Sequence, residues 1–314
     1  MFGKKVKRIL IGSAMSVLML LPSVGFASSE LSDYEKIKLA ADKAIQSEAA
    51  STFQSSELSA VKRDPILNEA PEFYKSIEGK TYQELTPSEL QKLHAIIDAS
   101  ISQYKQISAI VNKNSEAPIT PSYLEDETSK AIEASVYALF PTLSVSDIAI
   151  SFENSNTARD IGVRYAQLQG YPVTWDNPAD AYRHFSWNWL NSEDINVDDA
   201  RVFGDVHELA LAAASIVNVM SHLSFTEKVA QGVLLVIPIR NQTQSSLANF
   251  NAQWDNASVM DIYNNSQGRK SSLNYSFTSV ADAFYDAFFV RKVIIGWTSD
   301  VNSTVRSTAY SYWQ

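Results

Sequence analysis

Residues 176–190 read DNPADAYRHFSWNWL and combine a strong helix signal with a dense group of polar side chains. Asp176 or Asn177 can cap the free backbone N–H groups of a first helical turn, and Pro178 suits the first helical position because it has no N–H to lose. Asp180 places a negative charge near the positive end of the helix dipole. We therefore predict that a helix begins here.

One face of this predicted helix is polar and the face beside it is apolar. Asp180, His184 and Asn188 recur every four residues and so share one face. The apolar row contains Ala181, Phe185 and Trp189. The pattern places an imidazole between a carboxylate and an amide.

Two later segments predict helices that bring further polar side chains to this row. Residues 201–214, RVFGDVHELALAAA, form the first, and residues 259–269, VMDIYNNSQGR, form the second. Their candidate site residues are Asp205, His207, Glu208, Asp261, Asn264 and Asn265. We expect the three helices to meet around the polar row.

The motifs RHFxWN, HE and MDxxNNxxGR occur in this order along the chain. Together they resemble an uncharacterised bacterial domain found in secreted proteins and at the C-terminal ends of toxin-like polypeptides. The resemblance spans residues 176–270, and about fifty residues separate Glu208 from Asp261, a longer gap than the family pattern leads one to expect. The resemblance implies no established reaction, so the chemistry has to come from the residues themselves.

The N-terminal residues have the pattern of a secretory signal peptide. An apolar run at residues 9–21 follows a basic start and precedes Pro22 and a small-residue site at 25–27. The basic residues are Lys4, Lys5, Lys7 and Arg8. Because the apolar run is too short to span a bilayer comfortably, we predict a secreted protein that is cleaved after Ala27 and has no stable membrane anchor.

Composition and charge exclude several kinds of function. The formal net charge is −9, and loss of residues 1–27, which hold four basic and no acidic residues, would lower it to −13. A chain this acidic is not expected to have general affinity for nucleic acid or for an anionic membrane surface. The sequence has no cysteine, which excludes disulfides, thiol catalysis and zinc–sulfur sites.

Helical signals dominate the chain, so we predict an all-α fold. Thr86-Pro87-Ser88-Glu89 has the form of a capping box that opens a long helix, and a polar, proline-closed stretch at 113–121 indicates a boundary. The predicted parts are a signal peptide at 1–27, a helical N-terminal region at 28–115, and a multi-helix, bundle-like C-terminal domain at 116–314 with the motif cluster at 176–270.

Several segments give weaker signals. Asn156 is predicted to cap a helix that ends near residue 168, and residues 143–152 fit either a short strand or an irregular connection. The apolar run 229–239 fits a buried helix end or a strand, broken by Pro238. We expect residues 242–256 to form a polar loop that lies over the site. We expect residues 278–296 to form a long helix.

Metal binding is one chemistry that these residues could support. His184, His207 and Asp261 would supply two nitrogens and one oxygen to a divalent metal such as zinc, with positions left open for water or substrate. Glu208 or Asp205 would then act as general base or orient a histidine ligand. The HELAL run begins like the HExxH zinc signature but lacks its second histidine.

Metal-free acid–base chemistry is the second hypothesis. His184, paired with Asp180 one turn earlier, would act as the proton-transfer group, and the arginines of the motifs would bind a phosphate or carboxylate. This set would suit a hydrolase of phosphodiester or phospholipid bonds. The residues expected to position substrate are Arg183, Asn188, Asn265 and Arg269.

A structural interpretation stands beside both enzyme hypotheses. The same polar side chains on facing helices could form a buried hydrogen-bond network that only fixes helix packing. Aromatic residues at helical spacing, such as Phe185, Trp187 and Trp189, more often belong to a core than to a substrate platform. The predicted function is therefore a secreted hydrolase, with a non-catalytic secreted or cell-surface binding module as the alternative.

Overall fold

The computed structural model describes residues 31–49, 58, 60–112 and 127–314. Across these residues the chain forms α-helices and contains no strand, which confirms the all-α prediction. Residues Ser32–Gln314 belong to one compact unit. The predicted signal peptide and the predicted boundary at 113–121 lie outside the described residues.

The helices are, in chain order, α1 (Asp33–Ala49), α2 (Ala70–Ser76), α3 (Pro87–Val111), α4 (Glu127–Tyr137), α5 (Val145–Gln169), α6 (Pro178–Asp194), α7 (Val197–Asn218), α8 (Phe225–Ser245), α9 (Leu247–Gln253), α10 (Asn256–Asn274), α11 (Val280–Tyr285) and α12 (Ser303–Trp313). A π-helical turn, Asp286–Val290, continues α11. Among the described residues, none of these helices is both long and apolar enough to cross a membrane.

Two predicted helix starts are confirmed with their caps. The Asn177 side chain accepts a hydrogen bond from the backbone N–H of Ala179 at 2.8 Å, and Pro178 occupies the first turn of α6. Thr86 and Glu89 form the predicted capping box of α3. Because each cap satisfies N–H groups that have no partner inside the helix, it fixes where the helix begins.

Helix α6 lies at the centre, packed against α5, α7 and α10. Glycine permits the close crossing with α10, because a Cβ at Gly268 would lie 2.3 Å from the carbonyl oxygen of Phe185. Gly268 lies inside α10. Gly162 on α5 allows a similar approach to Ala179 of α6. The short distances hold the polar row of α6 firmly against its neighbours.

The apolar face of α6 contributes to an aromatic core with α1, α5 and α11. Tyr182 stacks on Phe284 with ring centroids 4.1 Å apart, and Phe185 meets the same ring edge-on at 5.5 Å. A second apolar cluster joins α3, α4, α7 and α8. Aromatic pairs in these arrangements add to the stability gained by burial.

The structure corrects two predictions near residue 150. Residues 145–152 are helical, because Ser144 and Asp147 form a capping box that starts α5. Asn156 therefore lies inside α5 and does not cap it. Its side chain donates a hydrogen bond to Asn112 at 2.9 Å, so it ties α5 to the end of α3.

Predictions after residue 225 were also partly wrong. Helix α8 continues through Pro238 to Ser245, with Pro238 exposed to solvent, and the end of α8 together with α9 occupies most of the expected loop. A proline on the outer side of a long capped helix loses one backbone hydrogen bond without ending the helix. The helix expected over 278–296 ends after residue 290, where Lys292 adopts a φ of 55°.

Candidate functional site

The three motif helices meet as predicted, and the polar row of α6 lies between them. Asp180, His184 and Asn188 are 3%, 1% and 0% exposed. Helix α10 brings Asp261 and Asn265 to this row. The site is therefore a buried polar cluster at the junction of α6, α7 and α10.

Hydrogen bonds fix the tautomer of His184. Arg183 Nη2 lies 2.6 Å from His184 Nε2, and Asn265 Oδ1 lies 3.2 Å from His184 Nδ1. Because a guanidinium can only donate, Nε2 accepts and Nδ1 carries the proton that is donated to Asn265. Burial, followed by the positive charges of Arg183 and His207, holds the pKa of His184 well below its usual range. The ring is therefore neutral, with an unprotonated Nε2.

Two amides connect this ring to charged groups. Asn265 Oδ1 also accepts from Asn188 Nδ2 at 2.7 Å, and Asn265 Nδ2 donates to Glu208 Oε1 at 3.3 Å. Asn188 Oδ1 accepts from Arg269 Nη1 at 2.6 Å. Each amide thus has one defined orientation, because its oxygen faces only donors. This series of hydrogen bonds, from Arg269 through Asn188 and Asn265 to Glu208, holds the His184 ring in place.

Two carboxylates face the unprotonated nitrogen of His184. Asp261 Oδ1 lies 3.2 Å and Asp180 Oδ1 lies 3.7 Å from Nε2. Although Asp261 Oδ1 lies this close to Nε2, it is buried and has no hydrogen-bond partner in the described part of the chain. Burial first, and then the charges of Asp180 and Glu208, raise the pKa of Asp261 well above its usual range.

Asp180, His184 and Asp261 form a group that could hold a metal ion, with ligand atoms within 4.8 Å of one another. The group contains Asp180 where the sequence hypothesis placed His207. An Arg183 Nη2 atom lies 2.7 Å from Asp180 Oδ1 and 2.6 Å from His184 Nε2. The guanidinium therefore already supplies a positive charge between two of the three ligand atoms.

His207 is oriented by a residue that the sequence did not point to. Its Nδ1 lies 3.2 Å from Glu133 Oε2 on α4, and Tyr137 donates a hydrogen bond to the other oxygen of Glu133. The ring of His207 packs edge-on against Trp187, with centroids 5.3 Å apart. Since the carboxylate can only accept, Nδ1 of His207 carries a proton. Residues 127–137 contain no motif, so only packing reveals this pair.

A cleft of about 670 Å³ lies beside the cluster, between α3, α4, α5, α6 and α7. His184 and His207 both line it, and their ring centroids are 6.5 Å apart. Its basic side chains are Lys130, Arg159, Arg164 and Arg183. The cleft thus brings two imidazoles and several cations to one space of small-molecule size.

The other predicted site residues lie elsewhere. Asn188, Glu208, Asn265 and Arg269 sit behind His184 and do not line the cleft. Burial raises the pKa of Glu208 to about 7 and lowers that of Arg269 to about 10. Asp205 faces a different cavity, where it pairs with Arg201 at 3.2 Å.

Comparison with known proteins gives one match. Residues 143–293 are similar to a family described as a domain of unknown function (DUF6973). This region covers just under half of the chain and includes all three motif helices, but not α4 with Glu133. No curated protein and no solved structure matches the chain.

Proposed function

We propose that this protein is a hydrolase of small anionic esters, phosphoesters above all, with His184 as general base. The observation that carries the proposal is the state of His184, whose ring is neutral, held by Asn265 through Nδ1 and positioned at the wall of the cleft with Nε2 unprotonated. A general base needs this combination of an unprotonated nitrogen and a fixed orientation.

Arg183 would alternate between His184 and substrate. Its side chain is 29% exposed and lines the cleft, so an incoming phosphate can compete for the guanidinium. Moving the guanidinium toward the phosphate frees Nε2 of His184 to take a proton from water. Asp180 then stabilises the imidazolium that forms, because its Oδ1 lies 3.7 Å from Nε2.

His207 would complete the reaction as general acid. The water oxygen forms a bond to phosphorus while the bond to the leaving oxygen breaks, and that oxygen takes a proton from His207. Glu133 holds the His207 ring through Nδ1 during this transfer. Solvent then returns a proton to His207 and removes one from His184, which restores the starting state.

Charge in the cleft supports an anionic substrate. The whole chain has a formal charge of −9, yet the cleft is lined by four basic side chains against the acidic Glu133 and Asp160. Lys130 forms no ion pair or hydrogen bond with another described residue. A local positive patch on an acidic protein attracts small anions without giving general affinity for nucleic acid.

The test is hydrolysis of a phosphodiester such as bis(4-nitrophenyl) phosphate, a phosphomonoester and phospholipid vesicles. His184→Asn keeps an N–H near Asn265 but removes the base, and we expect a loss of about 10²- to 10⁴-fold in kcat. His222→Asn on the exposed surface is the matched control and should retain full activity. Equal rates for the two variants, or no hydrolysis by the unaltered protein, would contradict the proposal.

A metal-dependent form of the same hydrolase is the second candidate, favoured by the close grouping of Asp180, His184 and Asp261. A divalent ion there would activate water directly, and Arg183 would have to give up its place between the ligand atoms. Metal analysis and activity before and after chelation separate the two. Loss of activity on chelation, restored by added zinc, would favour the metal; activity that survives chelation favours the acid–base route.

We also propose that the protein is exported, on the pattern of residues 1–27. Mass spectrometry of protein recovered from the culture medium should find a mature chain beginning at residue 28. Recovery of the full-length chain in the cell fraction alone would be inconsistent with export.

A further inference from the structure

The cleft beside His184 follows one side of α5 for about five turns. The main row of α5 side chains in its wall recurs every three or four positions, at Ile148, Phe152, Ser155, Arg159, Val163 and Gln167. At about 1.5 Å per residue, this stretch of α5 is about 28 Å long. Because the cleft volume of about 670 Å³ is spread over that length, the cleft is long and narrow. Such a shape fits an extended chain better than a compact molecule.

His184 lies near the middle of this length. Arg183, beside it in sequence, packs on α5 at Gly162, where an added Cβ would lie 3.2 Å from Arg183 Cβ. Trp187, one turn later, donates a hydrogen bond from Nε1 to the carbonyl oxygen of Ser151 at 3.1 Å. Since His184 lies between these two contacts, the cleft extends beyond the imidazole in both directions along α5.

Two of the four basic side chains that line the cleft already have a carboxylate partner. Arg164 Nε lies 2.8 Å from Asp160 Oδ2. Arg183 Nη2 lies 2.7 Å from Asp180 Oδ1. These two pairs leave little net charge, so an excess of positive charge has to come from the other two basic residues.

Lys130 and Arg159 have no carboxylate partner among the described residues. Lys130 forms no ion pair or hydrogen bond there, and Arg159 has only a 3.4 Å hydrogen bond to Asn156 Oδ1. The second carboxylate of the cleft, Glu133, is held by His207, which is protonated as the general acid of the proposed reaction. Hydrolysis at a single phosphate therefore leaves two cations, on α4 and on α5, without an anionic partner.

Exposed aromatic surface is confined to one end of the cleft. Tyr104 and Phe152 are half-buried and meet edge-on, with ring centroids 4.6 Å apart. The other described rings of the wall, those of Tyr137, Trp187 and Phe203, are buried. Single-stranded nucleic acids are typically bound by stacking successive bases on exposed rings. The cleft is therefore suited to hold a chain by its charged groups and not by its bases.

We propose that the substrate is a linear chain of phosphodiester units, in which phosphates next to the scissile one contact Lys130 and Arg159. This proposal rests on the hydrolase function proposed for His184. Water gives a proton to His184 and its oxygen bonds to the phosphorus of an internal unit. The bond from phosphorus to one ester oxygen breaks, and that oxygen takes the proton of His207. The products are one chain that ends in a phosphate monoester and one that ends in a hydroxyl group.

Chain length is the first test, with abasic tetrahydrofuran phosphodiester chains of one, two, four and six phosphates and the full-length protein. We expect kcat/KM to rise at least tenfold from one phosphate to four, and mass spectrometry to find internal cuts. Equal kcat/KM per phosphodiester bond at every length, or cuts only at chain ends, would overturn the proposal.

The chemical source of the chain is tested at a length of six phosphates. Oligothymidylate and a glycerol phosphate oligomer carry the same charges as the abasic chain, and we expect all three to be cleaved at similar rates. A rate at least tenfold higher for oligothymidylate alone would show that bases are recognised and would overturn the proposal.

Binding separates a failure of this proposal from a failure of the hydrolase. His184→Asn lacks the base but keeps the cleft, so the six-phosphate chain should bind it at least tenfold more tightly than the one-phosphate ester, as measured by titration calorimetry. Such binding without hydrolysis of any substrate would contradict the hydrolase and support the chain as ligand. Hydrolysis of bis(4-nitrophenyl) phosphate without any effect of chain length would overturn the chain and leave the hydrolase.

Variants locate the contacts. Lys130→Ala and Arg159→Ala should each reduce kcat/KM for the six-phosphate chain at least fivefold more than for bis(4-nitrophenyl) phosphate, mainly by raising KM. Lys43→Ala on the exposed side of α1 is the matched control and should change neither value. Each phosphate neutralised on a single strand adds about 0.7 to the slope of log K against log salt, so both variants should lower that slope for chain binding. Equal losses on the two substrates, or an unchanged salt slope in both variants, would overturn the proposal.

Discussion

The two sides of α6 are equally buried but are held by opposite kinds of interaction. On one side Tyr182 and Phe185 pack against Phe284 with no exposed surface. On the other, His184 and Asn188 are just as inaccessible, but their neighbours are carboxylates, amides and guanidinium groups. Burial stabilises the apolar side, whereas it opposes ionisation on the polar side.

The pKa shifts on the polar side show this opposition directly. Burial is the largest cause of the lowered pKa of His184 and of the raised pKa values of Glu208 and Asp261. Each shift means that folding disfavours the charged form of that group. Apolar side chains would serve helix packing at least as well at these positions, which is an argument for the chemistry proposed for His184.

Removing a ring from the apolar side should give the largest effect on stability. Phe284→Ala deletes the aromatic ring that contacts Tyr182 and Phe185, and we expect it to lower the free energy of unfolding by about 3–5 kcal/mol. Urea denaturation followed by circular dichroism measures this change. His184→Asn should cost clearly less in the same assay, and an equal cost for both variants would remove the distinction between the two sides.

A change at the crossing of α6 and α10 should disturb both sides together. In Gly268→Ala the new methyl group would meet the Phe185 carbonyl oxygen, and that backbone atom cannot move aside as a side chain could. We expect a loss of about 3 kcal/mol, near the upper end of the range for overpacked sites. Gly79→Ala is the comparison variant, because Gly79 lies outside the helices with a φ of 80° and no atom near its Cβ position. Any loss of stability in Gly79→Ala comes from backbone strain, whereas the loss in Gly268→Ala comes from the contact. A Gly268→Ala protein as stable as the unaltered chain would show that the helices are more loosely packed.

The smallest of the three expected changes in stability depends on pH and comes from one group on the polar side, Glu208. The pKa of Glu208 is raised to about 7, so the folded chain holds this proton more tightly than the unfolded chain does. Ionisation of Glu208 therefore lowers the free energy of unfolding. This loss is absent at pH values below the pKa of Glu208 in the unfolded chain and grows as the pH rises toward about 7. Glu208→Gln cannot ionise, so its stability relative to the unaltered chain should rise by up to about 3 kcal/mol across this window.

His184 has the opposite pH dependence, because its lowered pKa makes stability rise as pH increases toward the usual histidine range. The difference between Glu208→Gln and the unaltered chain removes this contribution, which both proteins share. Thermal unfolding at several pH values between 4 and 8 gives that difference. A difference that does not change with pH would mean that Glu208 ionises normally in the folded protein.

Much of the helix framework could be predicted from the sequence. Asn177 and Pro178 mark the start of α6, Thr86 and Glu89 mark the start of α3, and the four-residue spacing of Asp180, His184 and Asn188 places them on one face. These signals are local, because a cap or a helical period depends on residues within a few positions of one another. The prediction that Pro238 breaks the apolar run was wrong for the same reason. A proline is a local signal to end a helix, but α8 continues through Pro238 because the ring faces solvent.

Only the tertiary structure decided which side chains from distant segments contact one another. Glu133 contacts His207 from a helix without any motif, and Asp205 lines a cavity separate from the cleft although it lies three residues from Glu208. The ionisation of His184 likewise depends on burial and on Arg183, which lies beside it in sequence but reaches Nε2 only through its rotamer. Periodicity assigns a residue to a face of its own helix, whereas the contacts and the water content at that face depend on which distant segments pack there.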